Sequence, residues 1–214
     1  RISAAEIGFE KQAPLLEEVE LELRSGEIVG IIGRSGIGKT TLLRTIAGLI
    51  PALSGTVEAP VAKGEIGYIP QRLGLITHQS VGYNVIMGAL PRAPLWQTIL
   101  SMPGGELRES AREAIHAVGL ADKVLEPISQ LSGGQQRRVA IARSMVQQPR
   151  LLLADECLGE LDAETAKEII DLIQSLASER NIGVLIVDHN PVRARTFCDR
   201  VLQVRGTRLE EVEG

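Results

Sequence analysis

A glycine-rich segment with a lysine and two threonines has residue types and a spacing that indicate phosphate binding. It matches the phosphate-binding pattern G-x-x-x-x-G-K-[ST] at every fixed position and comprises Gly33, Arg34, Ser35, Gly36, Ile37, Gly38, Lys39, Thr40 and the following Thr41. Glycines let successive backbone N–H groups turn toward phosphate oxygens, and the N-terminus of a following helix adds partial positive charge. We therefore expect Lys39 to reach the β- and γ-phosphates of a nucleotide, and the Thr40 hydroxyl to ligate Mg²⁺. A phosphate loop alone leaves kinases, GTPases and motor ATPases as alternatives.

A second glycine-containing segment also indicates anion binding. It reads LSGGQQ, and we interpret the following residues 137–147 as a helix. A serine hydroxyl and two glycine N–H groups at a helix start would form a second anion nest. The residues of this nest are Ser132, Gly133, Gly134 and Gln135.

Acidic residues and a histidine follow two apolar segments that we interpret as buried strands. Residues 151–155 end in Asp155, which Glu156 follows, and residues 184–188 are followed by His189. The segment between them has the spacing of a helix over Ala163 to Arg180, with Asp162 in the N-cap position. The order strand, helix, strand implies that the two strands pair in parallel.

The elements that must position these groups form an α/β pattern. The apolar run 27–32 before the phosphate loop predicts a buried strand, and residues 41–47 after it predict a helix. Alternating apolar and charged residues over 18–24 predict a half-exposed strand, so that residues 1–24 form a small antiparallel layer. Phe9, at the end of that layer, could stack on a nucleotide base or belong to the core.

The residue pattern in the middle of the chain predicts helices. Residues 65–70 predict a short strand that ends at Gln71, and helical candidates separated by prolines follow it. The clearest of these candidates covers residues 106–118, where apolar residues recur at helical spacing. Residues 201–212 predict a closing hairpin.

Composition and charge narrow the function classes. The 214 residues carry a formal net charge of -4, which gives no general electrostatic case for nucleic-acid binding, so we expect no nucleic-acid partner. Two cysteines, Cys157 and Cys198, are too few for a disulfide framework or a zinc cluster and indicate a reducing compartment. No run approaches the ~20 apolar residues of a membrane span, so we expect a soluble chain. Since it begins at Arg1 without a methionine, we expect a few further residues upstream.

The order of these motifs along the chain is typical of one family. The chain resembles the nucleotide-binding subunit of an ABC transporter over essentially all of its 214 residues. The resemblance is carried, in order, by Phe9 at the base-stacking position, the phosphate loop, Gln71, the LSGGQ signature, the strand ending in Asp155 and Glu156, a Leu161-Asp162 turn and His189.

The resemblance implies a fold and a domain division. The fold is an α/β P-loop NTPase core with a mainly parallel sheet, a small N-terminal antiparallel β layer and an inserted α-helical subdomain. The expected core comprises residues 1–71 and 147–214. The expected helical subdomain comprises residues 72–146 and carries the signature.

The resemblance also implies roles for the candidate residues. Asp155 would hold Mg²⁺ through water, together with Thr40 and Gln71, and Gln71 would also sense the attacking water. Glu156 would polarise that water as general base, and His189 would contact the γ-phosphate and Glu156. The signature residues, with Asp162, would face a partner subunit.

Two subunits of this family meet head to tail, so that ATP lies between the phosphate loop of one and the signature of the other. The resemblance therefore implies ATP and Mg²⁺ as cofactors, a homodimer, and hydrolysis of ATP to ADP and phosphate coupled to solute transport. The expected partners are transmembrane permease subunits, with a substrate-binding protein as a further candidate. The expected location is peripheral, on the cytoplasmic face of the cell membrane. A soluble ABC-type ATPase acting on a macromolecular assembly is an alternative, whereas a P-loop kinase gives no reason for the signature.

Two segments bear on the subtype. Residues 157–160, Cys-Leu-Gly-Glu, stand where the family commonly has Pro-Thr-Ser followed by Ala, which puts in doubt the usual hydrogen bond across the dimer. Cys157 is either a small buried residue or an oxidation-sensitive position. Residues 75–85 and 88–90, with Trp96, are similar to importer ATPases and are nearest to the phosphonate type.

Overall fold

Two β-sheets and six α-helices make up the part of the chain that the computed structural model describes, namely residues 1–60, 64–90, 104–159 and 161–212. The strands are β1 (Ile2–Ile7), β2 (Leu16–Leu21), β3 (Ile28–Ile32), β4 (Ser54–Val57), β5 (Ile66–Ile69), β6 (Leu151–Asp155), β7 (Gly183–Val187), β8 (Arg200–Arg205) and β9 (Arg208–Glu211). The helices are α1 (Lys39–Ile46), α2 (Val81–Gly88), α3 (Gly105–Ala117), α4 (Gly133–Met145), α5 (Ala163–Arg180) and α6 (Pro191–Phe197). The expectations for Trp96 and Glu160 fall on residues outside the described ranges.

The larger sheet has six strands in the order β5-β6-β7-β3-β8-β9. All neighbouring pairs are parallel except β8 with β9, the hairpin that closes the chain. Strands β3, β6 and β7 are buried along their whole length, which is why they read as continuous apolar runs. The predicted α/β core with a mainly parallel sheet is confirmed.

Alternate residues of this sheet pack on opposite faces. On one face Ile31, Leu153 and Leu185 join a core with α1 and the N-terminal β layer. On the other face Leu152 and Ile186 join a core that extends through the helices α2 to α5. The helices inserted between β5 and β6 therefore share one continuous apolar core with the sheet.

The N-terminal layer has three strands in the order β2-β1-β4. All pairs in it are antiparallel, as residues 1–24 predicted, but the third strand, β4, comes from a later segment that the sequence did not assign to this layer. Gly55 allows this pairing, because a Cβ at that position would overlap the carbonyl of Ala4. The backbone at Gly55 also has φ +76, which favours glycine.

Two helices differ from the prediction. Helix α4 begins at Gly133 rather than at residue 137, because Ser132 and Gln135 cap its start reciprocally. Helix α6 was not predicted; its first turn is held by the Asn190 side chain, which accepts from two backbone N–H groups, and Pro191 occupies the first helical position. Across the described residues, every helix is too short or too polar to cross a membrane.

Candidate functional site

Four neighbouring parallel strands end at one edge of the sheet, and a candidate site residue lies at or just beyond each end. Strand β5 leads to Gln71, β6 ends in Asp155, β7 leads to His189, and β3 leads into the phosphate loop at Gly33. The carboxyl edge of an open parallel sheet is where ligands bind in α/β folds. The strand order therefore brings residues that are far apart in sequence to one site.

The phosphate loop wraps around the side chain of Lys39. Lys39 is 4% exposed, and its ammonium donates to the carbonyls of Gly33 at 2.8 Å and Arg34 at 2.7 Å. Gly36 and Gly38 have φ values of +77 and +113, which side chains rarely adopt. The N–H groups of the first turn of α1 have no acceptor within the helix and are available to a ligand.

An oxygen pair lies directly beside this loop. Thr40 Oγ1 donates to Asp155 Oδ1 at 3.2 Å, and Asp155 is 1% exposed. Burial raises the pKa of Asp155 above its ordinary value, against the opposing effect of the Thr40 hydrogen bond. Burial lowers the pKa of Lys39, whereas the nearby carboxylates of Glu156 and Asp155 act to raise it.

These two oxygens fit Mg²⁺. The described residues contain no cluster of three or more acidic, histidine or cysteine side chains that could hold a metal unaided. Mg²⁺ is ordinarily bound by one or two protein oxygens together with substrate phosphates, and a buried carboxylate next to a hydroxyl supplies that donor set.

The two residues assigned to water activation contact each other. Gln71 Nε2 donates to Glu156 Oε2 at 2.7 Å. Glu156 has φ +50, a left-handed conformation that costs ~1–3 kcal/mol for a non-glycine residue. Its N–H donates to the Val187 carbonyl of the neighbouring strand, and its carbonyl accepts from Gly159 N–H, both at 3.1 Å. The strand end thus turns sharply at Glu156, which nothing in the sequence signals.

His189 follows a buried carboxylate that the sequence analysis missed. Asp188 is 1% exposed and forms a bidentate pair with Arg193, at 2.7 and 2.8 Å, while accepting from the Asn190 N–H at 2.9 Å. The His189 Nδ1 lies 3.8 Å from Asp188 Oδ1, and its side chain is 60% exposed. An acidic residue at the end of an apolar strand and an arginine five positions later are the signal that could have revealed this pair. The expected contact of His189 with Glu156 stays a prediction.

The signature forms the N-terminus of α4. Ser132 Oγ accepts from Gln135 N–H at 3.3 Å, and Ser132 N–H donates to Gln135 Oε1 at 3.0 Å. Ser132 and Gly133 are exposed, whereas Gly134 is buried against α5, so closely that a Cβ on Gly134 would overlap the Thr165 methyl group. Ser132 and Gly133 are therefore the exposed residues of the predicted nest, the side of Gly134 that would carry a Cβ packs on α5, and anion binding by Gly134 stays a prediction.

The N-terminus of α5 lies beside that of α4 through the contact of Thr165 with Gly134. Asp162 is exposed and accepts from Thr165 N–H at 2.9 Å, and this hydrogen bond lowers the pKa of Asp162. Neither N-cap group is covered by the rest of the described chain.

Phe9 lies in a loop next to the phosphate loop. It is 69% exposed, and its loop is closed by a hydrogen bond of 2.8 Å from Leu15 N–H to the Ile7 carbonyl. Leu15 Cβ lies 3.1 Å from where a Cβ on Gly38 would stand. The remaining loop residues differ in exposure: Arg34 and Ser35 are exposed, Ile37 is half-buried and Thr41 is buried.

Cys157 lies in the loop after Glu156. It is 1% exposed, and burial raises the pKa of its thiol to about 12. These values support the interpretation as a small buried residue, since a protonated and covered thiol reacts slowly.

Known proteins are similar to this chain in sequence and in fold. The phosphonates import ATP-binding protein PhnC of Stutzerimonas stutzeri is 37% identical, covering 93% of this chain and 78% of the relative. PhnC of Escherichia coli K12 is 35% identical over 91% of this chain and 81% of its own length. A solved metal-chelate type ABC transporter in an inward-facing conformation, itself described as putative, has a TM-score of 0.89 at 24% identity, covering 99% of this chain and 82% of that one.

A second solved structure is a dimeric ATP-binding cassette in a post-hydrolysis state bound to ADP and Pi. It has a TM-score of 0.79 at 27% identity and covers 100% of this chain and 98% of that one. The family model for ABC transporters matches residues 16–159, which is more than half of the chain. The chain therefore belongs to the ABC transporter family.

Proposed function

We propose that this chain is the ATP-binding and ATP-hydrolysing subunit of a membrane importer. The observation that carries the proposal is the 2.7 Å hydrogen bond between Gln71 and Glu156, beside the buried Asp155 and the phosphate loop. A carboxylate oriented by an amide next to a phosphate-binding loop is the arrangement that hydrolysis of a phosphoanhydride needs.

The phosphate loop would bind the nucleotide. Lys39, whose ammonium bonds two carbonyls of the loop, would turn toward the β- and γ-phosphates, and the N–H groups at the start of α1 would bind the remaining oxygens. Phe9, exposed beside the loop, would stack on the base. Thr40, Asp155 and Gln71 would hold Mg²⁺. When bound, Mg²⁺ would neutralise phosphate charge.

Glu156 would act as general base. Its Oε2 is engaged by Gln71, so Oε1 would accept the proton of the attacking water. His189, held at the end of β7 beside the buried Asp188, would donate a hydrogen bond to the γ-phosphate, where negative charge develops.

Each site would be completed by a second copy of the chain. The exposed nest of Ser132 and Gly133, with Gln135 and Asp162 beside it, would bind the γ-phosphate held by the partner's phosphate loop. ATP would therefore join the two copies, and hydrolysis would release them.

The transport role extends this proposal to partners. The helical subdomain, residues 72–146, and the loop at Gln71 would contact permease subunits and place the chain on the cytoplasmic face of the membrane. The relatives named for phosphonate import, and the hypophosphite import protein HtxD at 34% identity, support phosphorus oxyanions as the imported class. A substrate-binding protein would deliver such an anion to the permease.

Glu156→Gln tests the catalytic assignment. An amide keeps the shape of the side chain and can still accept from Gln71, but it cannot take a proton from water. We expect steady-state hydrolysis to fall ~10²- to 10⁴-fold, the contribution of a general base, while ATP binding persists. The variant should become a dimer in ATP on a sizing column. Glu179→Gln, an exposed position on α5, is the matched control, and unchanged turnover in Glu156→Gln would exclude Glu156 as the base.

Purification from detergent-solubilised membranes tests the transport role. The subunit should bring down integral membrane proteins, and the reconstituted complex should hydrolyse ATP faster with a phosphonate than with a sugar. Stimulation by a sugar alone would contradict the proposed substrate class without touching the ATPase assignment.

A further inference from the structure

Helix α4 holds the loop behind Glu156 through one arginine. Arg137 Nε donates to the Cys157 carbonyl at 2.6 Å, and its Nη2 donates to the Gly159 carbonyl. A planar guanidinium that bonds two carbonyls fixes both the distance and the orientation of that backbone. Cys157 directly follows Glu156, so this contact fixes the chain one residue away from the catalytic carboxylate.

The same helix holds the loop behind Gln71 through a second arginine. Arg143 Nη1 donates to the Gly74 carbonyl at 2.6 Å, and its Nη2 donates to the Leu73 carbonyl. Gly88 of α2 lies against the Arg143 backbone, where a Cβ would overlap the carbonyl oxygen. Burial lowers the pKa of Arg143, but a guanidinium stays charged in proteins, and this one donates to both carbonyls.

The hydrogen bonds of the two arginines connect α4 and the two loops in a closed path. Arg137 and Arg143 are six positions apart on the α-helix, a rigid span of ~9 Å. The two loops that these arginines hold meet again in the bond between Gln71 and Glu156. Helix α4 thus sets the separation of the two loops. The signature nest lies at the N-terminus of this helix.

We infer that Arg137 and Arg143 are positioning residues that set the geometry between Glu156 and Gln71 from one helix. An anion bound at Ser132 pulls on the N-terminus of α4, and the two arginines transmit that displacement to both loops at once. The hydrogen bonds of these arginines thereby couple the partner's nucleotide to the general base of the chain's own site. This inference rests on the proposed ATPase function.

Arg138 provides a matched control on the same helix. Its guanidinium also forms two hydrogen bonds, to the Val118 carbonyl at 3.1 Å and to Glu168 at 2.7 Å, but it reaches neither catalytic loop. A loss of helix anchoring in general would affect Arg137 and Arg138 variants alike. A role in positioning Glu156 affects Arg137 alone.

The first test compares Arg137→Met with Arg138→Met. Methionine keeps an unbranched apolar stem, although a shorter one than that of arginine, and removes every donor. We expect Arg137→Met to lower kcat ~10- to 100-fold, because a displacement of about 1 Å at the reacting groups costs up to ~10²-fold. The ATP affinity of the monomer should stay within about twofold, since the phosphate loop is unchanged. Arg138→Met should keep normal kcat.

A second test measures the coupling of Arg137 with Gln71. If Arg137 acts through the Gln71–Glu156 geometry, adding Arg137→Met to Gln71→Ala should lower kcat by less than the product of the two single effects. Arg137→Lys, which keeps the charge and the fold but donates to one carbonyl at a time, should recover part of the lost kcat.

The outcomes separate this inference from the proposed function. Equal kcat in Arg137→Met and Arg138→Met, or multiplicative effects with Gln71→Ala, would overturn the inference while wild-type hydrolysis stands. Should wild type and Arg138→Met both fail to hydrolyse ATP, the proposed function itself would be wrong, and the inference with it. If Arg137→Met does not fold, Arg137→Lys is compared with Arg138→Lys by the same measurements.

Discussion

Replacing Ser132 with aspartate isolates the proposed role of the signature nest. Aspartate and asparagine are both as good as serine at an N-cap, so either can accept from Gln135 N–H and keep α4 in place. Ser132→Asp then adds one negative charge to an exposed position, and Ser132→Asn adds none. The structure favours this site over Gly134, where any Cβ would disturb packing against α5.

The expected weakening of ATP-driven dimerisation in Ser132→Asp follows from Coulomb's law. A carboxylate about 4 Å from a γ-phosphate oxygen in a partly desolvated interface is repelled by ~4 kcal/mol per unit charge at an effective dielectric constant of ~20. Since ~1.4 kcal/mol is tenfold in an equilibrium constant, ATP-driven dimerisation should weaken ~10³-fold. Monomer stability should change by less than ~0.5 kcal/mol, as for other exposed substitutions.

The assay combines nucleotide binding, dimerisation and complementation. A fluorescent ATP analogue should bind monomeric Ser132→Asp with wild-type affinity, whereas Lys39→Ala should weaken binding itself. Ultracentrifugation in a hydrolysis-deficient Glu156→Gln background should show dimers for Ser132→Asn and monomers for Ser132→Asp. Mixing Ser132→Asp with Lys39→Ala should restore some hydrolysis, because one composite site then carries both lesions and the other carries none.

Two results would refute this reasoning. ATP-driven dimers of Ser132→Asp as tight as those of Ser132→Asn would mean that no phosphate approaches the nest. Weakened nucleotide binding by the Ser132→Asp monomer would mean that the nest serves the chain's own nucleotide rather than that of a partner.

Two further predictions concern stability. Gly134→Ala should lower the free energy of unfolding by ~1–3 kcal/mol through overlap with Thr165, whereas Gly133→Ala should not, since only Arg137 Nη1, at 3.4 Å, lies near its Cβ; equal thermal midpoints for the two variants would contradict this packing. For Cys157, the folded-state pKa of about 12 lies above the ordinary 9.0, so its contribution to stability is complete below pH 9 and is lost as pH rises toward 12. Wild type should therefore lose more free energy of unfolding than Cys157→Ala over this range, by up to ~1.4 kcal/mol per pH unit, and parallel pH profiles would exclude the protected thiol.

The sequence predicted those parts of the fold that are determined by residues close together in the chain. The phosphate loop, the strand before it and the helix after it form one continuous segment of glycine spacing and apolar periodicity. The apolar runs that became β6 and β7 were recognisable because a strand covered on both faces needs no alternation. Helix α4 began four residues earlier than predicted, because the reciprocal bonds of Ser132 and Gln135 carry the helix into the signature.

The sequence could not place the contacts that make the site, because they join distant segments. The bond between Gln71 and Glu156 spans 85 residues and depends on the pairing of β5 with β6, whose register puts Ile69 opposite Ala154. The left-handed turn at Glu156 is imposed by the neighbouring strand β7, since no residue type there demands it.

The sequence by itself therefore predicted the chemistry available to the protein, namely which groups we expect to bind phosphate, to hold Mg²⁺ and to accept a proton. The tertiary structure alone decided how those groups are arranged, and it assigned Arg137 and Arg143 to carbonyls in two separate loops. Hydrogen bonds to backbone carbonyls leave no signature in the sequence, because every residue type presents the same acceptor. Only the packing of α4 against both loops shows which acceptors these arginines bind.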